Sequence, residues 1–407
     1  MAFKLFENFG KSESLELKKS VWVYSFNDQF CWRWIISTKT STRDSTHMKL
    51  KTFSRIALVA ALPLAMAAVQ AQAKEMAIAT ILPENMSNNS VYPALVRFKD
   101  LVETRTDGEI TVRIFGNSQL GSEVDTAKEV QGGRTLQSTI ITTGAMSSYF
   151  SDYQLMTAPF VFDNWRQAWA FLDGDWFADF MSNTVEETNM RYLGTFDDGG
   201  GFVAFTNNER LIKTVEDLKG LNIRTEENPG HVAIIKSLGA SATPLPWGEV
   251  ITALETGLAD GQFNAPVLNT TYNFHEVTDY TTLTGHVYNS AAWLISEDWY
   301  QGLTEEQKEA IVTSAREAIA IGHGMSAALA TAGWQESCKT FKDCYIMPTK
   351  ERERMADIAR PAWKSWIVDD FGIDAKKVDA FLAEVKRVGE EVKSSDMDNY
   401  GSVKTGQ

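Results

Sequence analysis

The sequence predicts an α/β protein of two lobes crossed by one long helix. Three observations carry this. Residues 76–142 read β-α-β-α-β, a second block of the same kind begins near Gly199, and a sustained helical pattern starts at Thr304. Strands alternating with helices argue for a mostly parallel sheet covered by helices.

Met76–Ile81 alternates weakly and reads as a strand. Leu95, Val96, Phe98, Leu101 and Val102 lie at helical spacing, and Asp107-Gly108 turns the chain. Ile110, Val112 and Ile114 mark a second strand. Glu123–Val130 is a short helix, broken at Gly132-Gly133, and Thr139–Thr142 is a third strand. In the second block Phe202–Thr206 is a strand, 214–220 a capped helical turn and Leu221–Arg224 a strand. Val232–Leu238 is a helix stopped by Gly239, and Ala242–Leu245 is extended beside Pro244 and Pro246. Glu249–Thr256 is a helix and Gly261–Asn264 a strand. Thr304 to Gln307 forms a capping box. The helix it opens, about 35 residues at 1.5 Å each, is roughly 50 Å long and outruns a single lobe. Residues 351–393 are again helical. Residues 74–201 with 290–329 are expected to form one lobe, and 202–289 with 330–407 the other.

Ahead of these blocks stands an address label. Lys49, Lys51 and Arg55 form a positive region, Ile56–Val69 is apolar, and Ala71-Gln72-Ala73 is a small-x-small site. This predicts a secretory signal peptide over 48–73. The apolar run falls short of the ~20 residues of a membrane span, though an N-terminal anchor is the alternative. Residues 1–47 read as a non-native extension, with Met48 the true start. An exported protein has its two remaining cysteines, Cys338 and Cys344, in an oxidising compartment, where they form either a disulfide or two separate buried thiols.

Composition excludes several functions. The chain is 44% hydrophobic and 23% charged, as a globular protein is. Its net charge of -14 argues against a nucleic-acid partner. G-x-S-x-G, H-E-x-x-H, Walker A and G-x-G-x-x-G patterns do not occur, so no catalytic residue, cofactor or metal site is expected. Gly199-Gly200-Gly201 reads as a hinge or a tight backbone approach between lobes.

One stretch, Gly220 to His286, carries a family signature. It holds G-L-x-I-R-T, L-G-A-x-x-T-P, the run E-V-x-x-A-L-x-T-G-x-x-D-G-Q-x-N, and E-V-T-x-Y followed by T-G-H. Upstream lie Gln119-Leu-Gly121 and Ala158-Pro-Phe160-Val-Phe162. This resembles the solute-binding proteins of TRAP (tripartite ATP-independent periplasmic) transporters, the DctP-type family. The resemblance covers almost all of 76–390. It implies a type II-like, two-lobed periplasmic binding-protein fold, a small organic acid in the interlobe cleft, and delivery to the small and large TRAP membrane subunits. It places the protein in the periplasm and makes it a binder rather than an enzyme. A binding protein of another importer or of a sensor, or an exported hydrolase, are the rival readings.

The resemblance assigns Arg224 to fork the ligand carboxylate, whose two oxygens match two parallel guanidinium N–H groups. Trp247 matches an aromatic wall of the pocket, and Asn264 the amide that orients the same carboxylate. Glu84 falls where the family's first strand-to-helix loop reaches the cleft. Thr142 and Thr143 end the third strand, a common ligand edge in α/β sheets. Glu249 and Glu276 are read as supporting residues and His286 as structural. Many family members carry a second arginine in G-F-R; here the stretch is Gly201-Phe202-Val203. A monocarboxylate is therefore expected, its remainder meeting Trp247 and Phe202.

Overall fold

A computed structural model of the chain describes residues 73–400, with side chains as far as 393. The expected extension 1–47 and, Ala73 apart, the signal segment 48–73 lie outside the described residues.

The first block folds as its pattern dictates. β1 (Lys74–Thr80) and β2 (Ile110–Phe115) flank α1 (Val91–Arg105), and α2 (Glu123–Gly132) leads to β3 (Ser138–Thr142). These strands are parallel, in the order β2-β1-β3. Short helices follow: α3 (Thr143–Met146), α4 (Trp165–Leu172), α5 (Asp175–Ser182) and α6 (Thr184–Thr188).

The chain then enters β4 (Met190–Asn207), far longer than the expected 202–206 segment. β5 (Asn222–Thr225), α7 (Pro229–Ser237), β6 (Ser241–Pro244), α8 (Val250–Glu255), β7 (Gly261–Asn264) and α9 (Pro266–Thr271) complete the second block. β8 (Tyr280–Ser296), which the pattern left unread, returns through the molecule. After α10 (Glu297–Gln301) come α11 (Glu305–Thr340), β9 (Asp343–Ile346), α12 (Thr349–Ser365) and α13 (Ala375–Tyr400).

Nine strands among the described residues share one sheet, ordered β2-β1-β3-β8-β4-β7-β5-β6 with β9 on β8. Five of its eight strand pairings are parallel, and the sheet is mixed because β8 runs antiparallel to β3 and β4, and β7 antiparallel to β4. β4 and β8 belong to both halves. They pair from Met190↔Ser296 to Asp197↔Ser290, lose register, and pair again from Phe202↔Tyr288 towards Asn207↔Tyr280. The break is where the three glycines sit. Gly199, Gly200 and Gly201 all have positive φ, and a Cβ on Gly201 would lie 2.4 Å from the Tyr288 ring. Glycine is required there both for the backbone and for the approach.

The long helix runs 36 residues, opened by the expected capping box: Thr304 Oγ1 accepts from Gln307 N and Gln307 Oε1 from Thr304 N, each at 3.2 Å. Ile311, Ala315 and Ala318 bury its first half against the α1 side of the sheet. Further along, Gly333 lets α9 close in, since a Cβ there would meet Val267 Cα at 2.6 Å. The helix thus reaches both halves. α12 packs on α7, whereas α13 packs on α4, where Gln167 Nε2 donates to Val385 O at 3.0 Å. Cys338, near the end of α11, is disulfide-bonded to Cys344 in β9.

Candidate functional site

Parallel strands with short connections leave a cleft at their carboxyl ends. Here it measures about 700 Å³ and is lined from β3, β4, β5 and β7 and from the turns after β1, β5 and β6. Arg224 stands in its wall, 3% exposed. Burial pulls its pKa down to about 10, against the neighbouring Glu226, Glu123 and Glu227, so it stays a cation at neutral pH. Its Nε and Nη2 both donate to Leu245 O, at 3.0 and 2.6 Å. Its Cζ lies 5.9 Å from the centre of the Trp247 ring. That ring is held edge-on to Tyr272, centroids 4.9 Å apart. Asn264, at the end of β7, donates from Nδ2 to Gln262 Oε1 at 2.6 Å and accepts from Asn289 Nδ2 at 3.3 Å. Thr142 closes β3 and donates from Oγ1 to Glu123 Oε2 at 3.1 Å.

Arg224, Trp247, Asn264 and Thr142 therefore converge on one cleft. The other three expected residues do not join them. Thr143 is buried behind the wall, its hydroxyl 3.2 Å from that of Ser290. Glu84 is exposed and holds its own loop, accepting from Gly116 N at 2.9 Å and Gln119 Nε2 at 2.7 Å. Phe202 lines a separate cavity of about 460 Å³ with Trp165 and Arg352. The glycine irregularity resets the alternation of β4 just before it, so its facing could not be read from strand period. His286, expected to be structural, lies away from the cleft lining. Fully buried, it stacks on Phe205 at 4.2 Å and shares a 2.7 Å hydrogen bond with Thr284, and burial pushes its pKa down to about 3.

Four cleft carboxylates were not anticipated: Glu123, Asp198 and Glu226, and the exposed Glu227. Burial, with Glu226 and Asp198 nearby, pushes Glu123 up to about 8; Thr142 N, donating to it at 2.5 Å, opposes the shift. Burial and the charges of Glu226 and Asp197 push Asp198 up to about 7. The only sequence signal was the acidic pairs Asp197-Asp198 and Glu226-Glu227, each set against a strand break or end.

Beneath the register break lies a second polar cluster. Asp197 accepts from the Tyr288 hydroxyl and, at 2.8 Å, from Trp169 Nε1, and lies 3.3 Å from His323 Nδ1. Although burial opposes it, the Asp173 and Asp197 carboxylates raise His323 to about 9. Among the described residues no group of three His, Cys, Asp or Glu side chains is arranged to hold a metal ion.

Comparison with known proteins fits this architecture. Residues 51–369 match the family described as bacterial extracellular solute-binding protein, family 7 (DctP). A solute-binding protein of Verminephrobacter eiseniae is 33% identical over 224 residues, 55% of this chain and 66% of that protein. The 2,3-diketo-L-gulonate-binding periplasmic protein of Escherichia coli is 32% identical over 58% of this chain and 70% of its own length. The matches thus span about two thirds of these relatives. The crystal structure of a sugar acid binding protein from Advenella mimigardefordensis in complex with galactonate superposes with a TM-score of 0.72. It is 26% identical and covers 78% of this chain and 99% of that one. With the two-lobed sheet, the cleft arginine and a family match across most of its length, the chain belongs to the DctP family of TRAP transporter solute-binding proteins.

Proposed function

We propose that this protein captures a small monocarboxylate in the cleft between its lobes and delivers it to the TRAP membrane subunits. The observation that carries this is Arg224: a buried guanidinium, anchored on Leu245 O, that lines an open cleft beside an aromatic wall. Nη1 makes no hydrogen bond among the described residues. One cation suits one carboxylate. Val203 stands where many relatives of this type carry a second arginine, and it is 0% exposed in the hydrophobic core. Diketogulonate and galactonate, named for two of the similar proteins, each carry a single carboxylate, which supports the same reading.

The chain acts by binding, not by catalysis. Residues 48–73 direct export to the periplasm. The lobes, 74–201 with 290–329 and 202–289 with 330–374, hinge at the register break of β4 and β8, and the expected extension of the second lobe to 407 fails at α13, which packs back on α4 of the first. Closure removes water from around Arg224 and strengthens its charge-assisted bonds. It is driven only by contacts that the ligand makes in the closed state. Native mass spectrometry of the exported protein, followed by calorimetry, tests this: a retained monocarboxylic acid is expected. Tight binding of succinate or malate with none for monocarboxylates would overturn it.

A further inference from the structure

We propose that the ligand is a zwitterion, with its carboxylate on Arg224 and a cationic nitrogen against Glu123, Asp198 and Glu226. This rests on reading the cleft as a carboxylate site, and it adds the chemistry of the opposite wall.

Arg224 is the one basic residue lining the cleft. Acids outnumber bases in that lining, with Glu123, Asp198 and Glu226 in its wall and Glu227 and Glu249 exposed at its rim. A purely anionic ligand would hold these acids protonated, whereas a cationic nitrogen would let them ionise against it. Asp198 is 5% exposed, and its Oδ1 has no hydrogen-bond partner. Glu226 Oε2 is likewise unpaired. His231 Nδ1, at 3.6 Å, is beyond hydrogen-bond distance, and burial lowers the pKa of that imidazole. Buried carboxylates are ordinarily paired, because stripping one of water without a partner is costly. Unpaired acids in the wall of a binding cleft point to a partner that arrives with the ligand.

These acids are positioned rather than loose. Thr142 grips Glu123 through both its N–H and its hydroxyl. Glu226 lies so close to α3 that a Cβ on Gly144 would be 2.4 Å from Oε2. Their spacing does not converge on a metal ion. An ammonium or an alkylated nitrogen fits better, since it needs no coordination geometry and its charge is shared among several oxygens. The raised pKa values of Glu123 and Asp198 agree: both carboxylates resist ionisation until a cation is beside them.

Calorimetry and thermal-shift titration of the exported protein with two probe sets test the proposal. One set holds zwitterions: 5-aminopentanoate, glycine betaine, proline betaine and ectoine-like cyclic amidinium acids. The other holds nitrogen-free acids: 5-hydroxypentanoate, galactonate and succinate. Binding is expected within the zwitterions. The D198N/E226Q double variant, isosteric with wild type and first checked for a wild-type circular dichroism spectrum, should lose roughly 30-fold or more in affinity for them. Binding confined to nitrogen-free acids, undiminished in D198N/E226Q, would overturn the proposal, as would no binding by any zwitterion. The carboxylate reading is judged separately by R224A. If that variant loses the nitrogen-free acid, the carboxylate site survives without the zwitterion; if it keeps every ligand, both readings fall.

Discussion

Arg224 and Leu245 are joined by two hydrogen bonds to a single oxygen, Nε and Nη2 both donating to the Leu245 carbonyl. This spends one edge of the guanidinium on the protein and fixes its plane. A fork held in this way loses little conformational freedom when a carboxylate arrives.

The first prediction follows. Arg224→Ala should weaken ligand binding by about 2–5 kcal/mol, the cost of removing one partner of a buried charge pair. Arg224→Lys should do nearly as badly, because a single ammonium cannot both bond Leu245 O and present a planar pair of donors. Calorimetry checks this. Wild-type affinity in either variant rejects the assignment of the carboxylate to position 224.

A second prediction concerns pH. Burial and neighbouring acids raise Glu123 to about 8 from 4.5, so the folded protein holds a proton there that the unfolded chain releases above pH 4.5. Excess protons bound by the folded state mean that stability falls as pH rises across that window. Asp198, raised from 3.8 to about 7, acts in the same direction. Urea denaturation from pH 4 to 9 should show wild type losing stability faster than Glu123→Gln between pH 4.5 and 8. Parallel profiles would show that Glu123 is not strained in the empty cleft.

Much of the fold was open to reading, and the reasons for the exceptions are physical. β1, β2, α1 and β3 announce themselves by period, and α11 by its capping box and length. β8 does not, because 15 of its 17 residues are buried, so apolar and polar residues have no two faces to alternate between. The first half of β4 hides behind Asp197 to Gly201, a string of turn-forming residue types. In the site, Arg224 and Asn264 were legible because they sit at strand positions marked by family motifs. Glu123, Asp198 and Glu226 come from a helix start, a strand interior and a loop, and only tertiary folding brings them together. Glu84 differs for the opposite reason: its loop is close to the cleft, but its Oε1 accepts from Gly116 N and Gln119 Nε2 and the side chain does not line the cleft.

His323 supplies a third prediction. It ties the middle of α11 to Asp197 of β4, while Tyr288 of β8 donates to the same carboxylate. The register break lies directly after Asp197. The imidazole is raised from 6.5 to about 9, so its contribution is fully present below pH 6.5 and disappears as pH rises through about 9. His323→Gln should cost on the order of 2 kcal/mol at pH 6, and the difference from wild type should shrink towards pH 10. A cost that stays constant across this range would mean that packing on Trp169, not charge, is what the residue supplies.

The disulfide yields the last prediction. Cys338 and Cys344 are 6 residues apart and join the end of α11 to β9, and neither lines the Arg224 cleft. Closing so short a loop removes little entropy from the unfolded chain, so the link should stabilise by only about 2 kcal/mol. It nevertheless pins β9, which pairs in parallel with the start of β8 from Tyr280↔Asp343 to Leu283↔Ile346. The Cys338→Ser/Cys344→Ser variant should therefore unfold at lower denaturant while binding ligand with unchanged affinity. Hydrogen exchange should localise the loosening to residues 280–283 and 343–346. Loss of affinity in that variant would mean that the edge of the sheet at β9 is coupled to the cleft through β8, and that the link serves binding as well as stability.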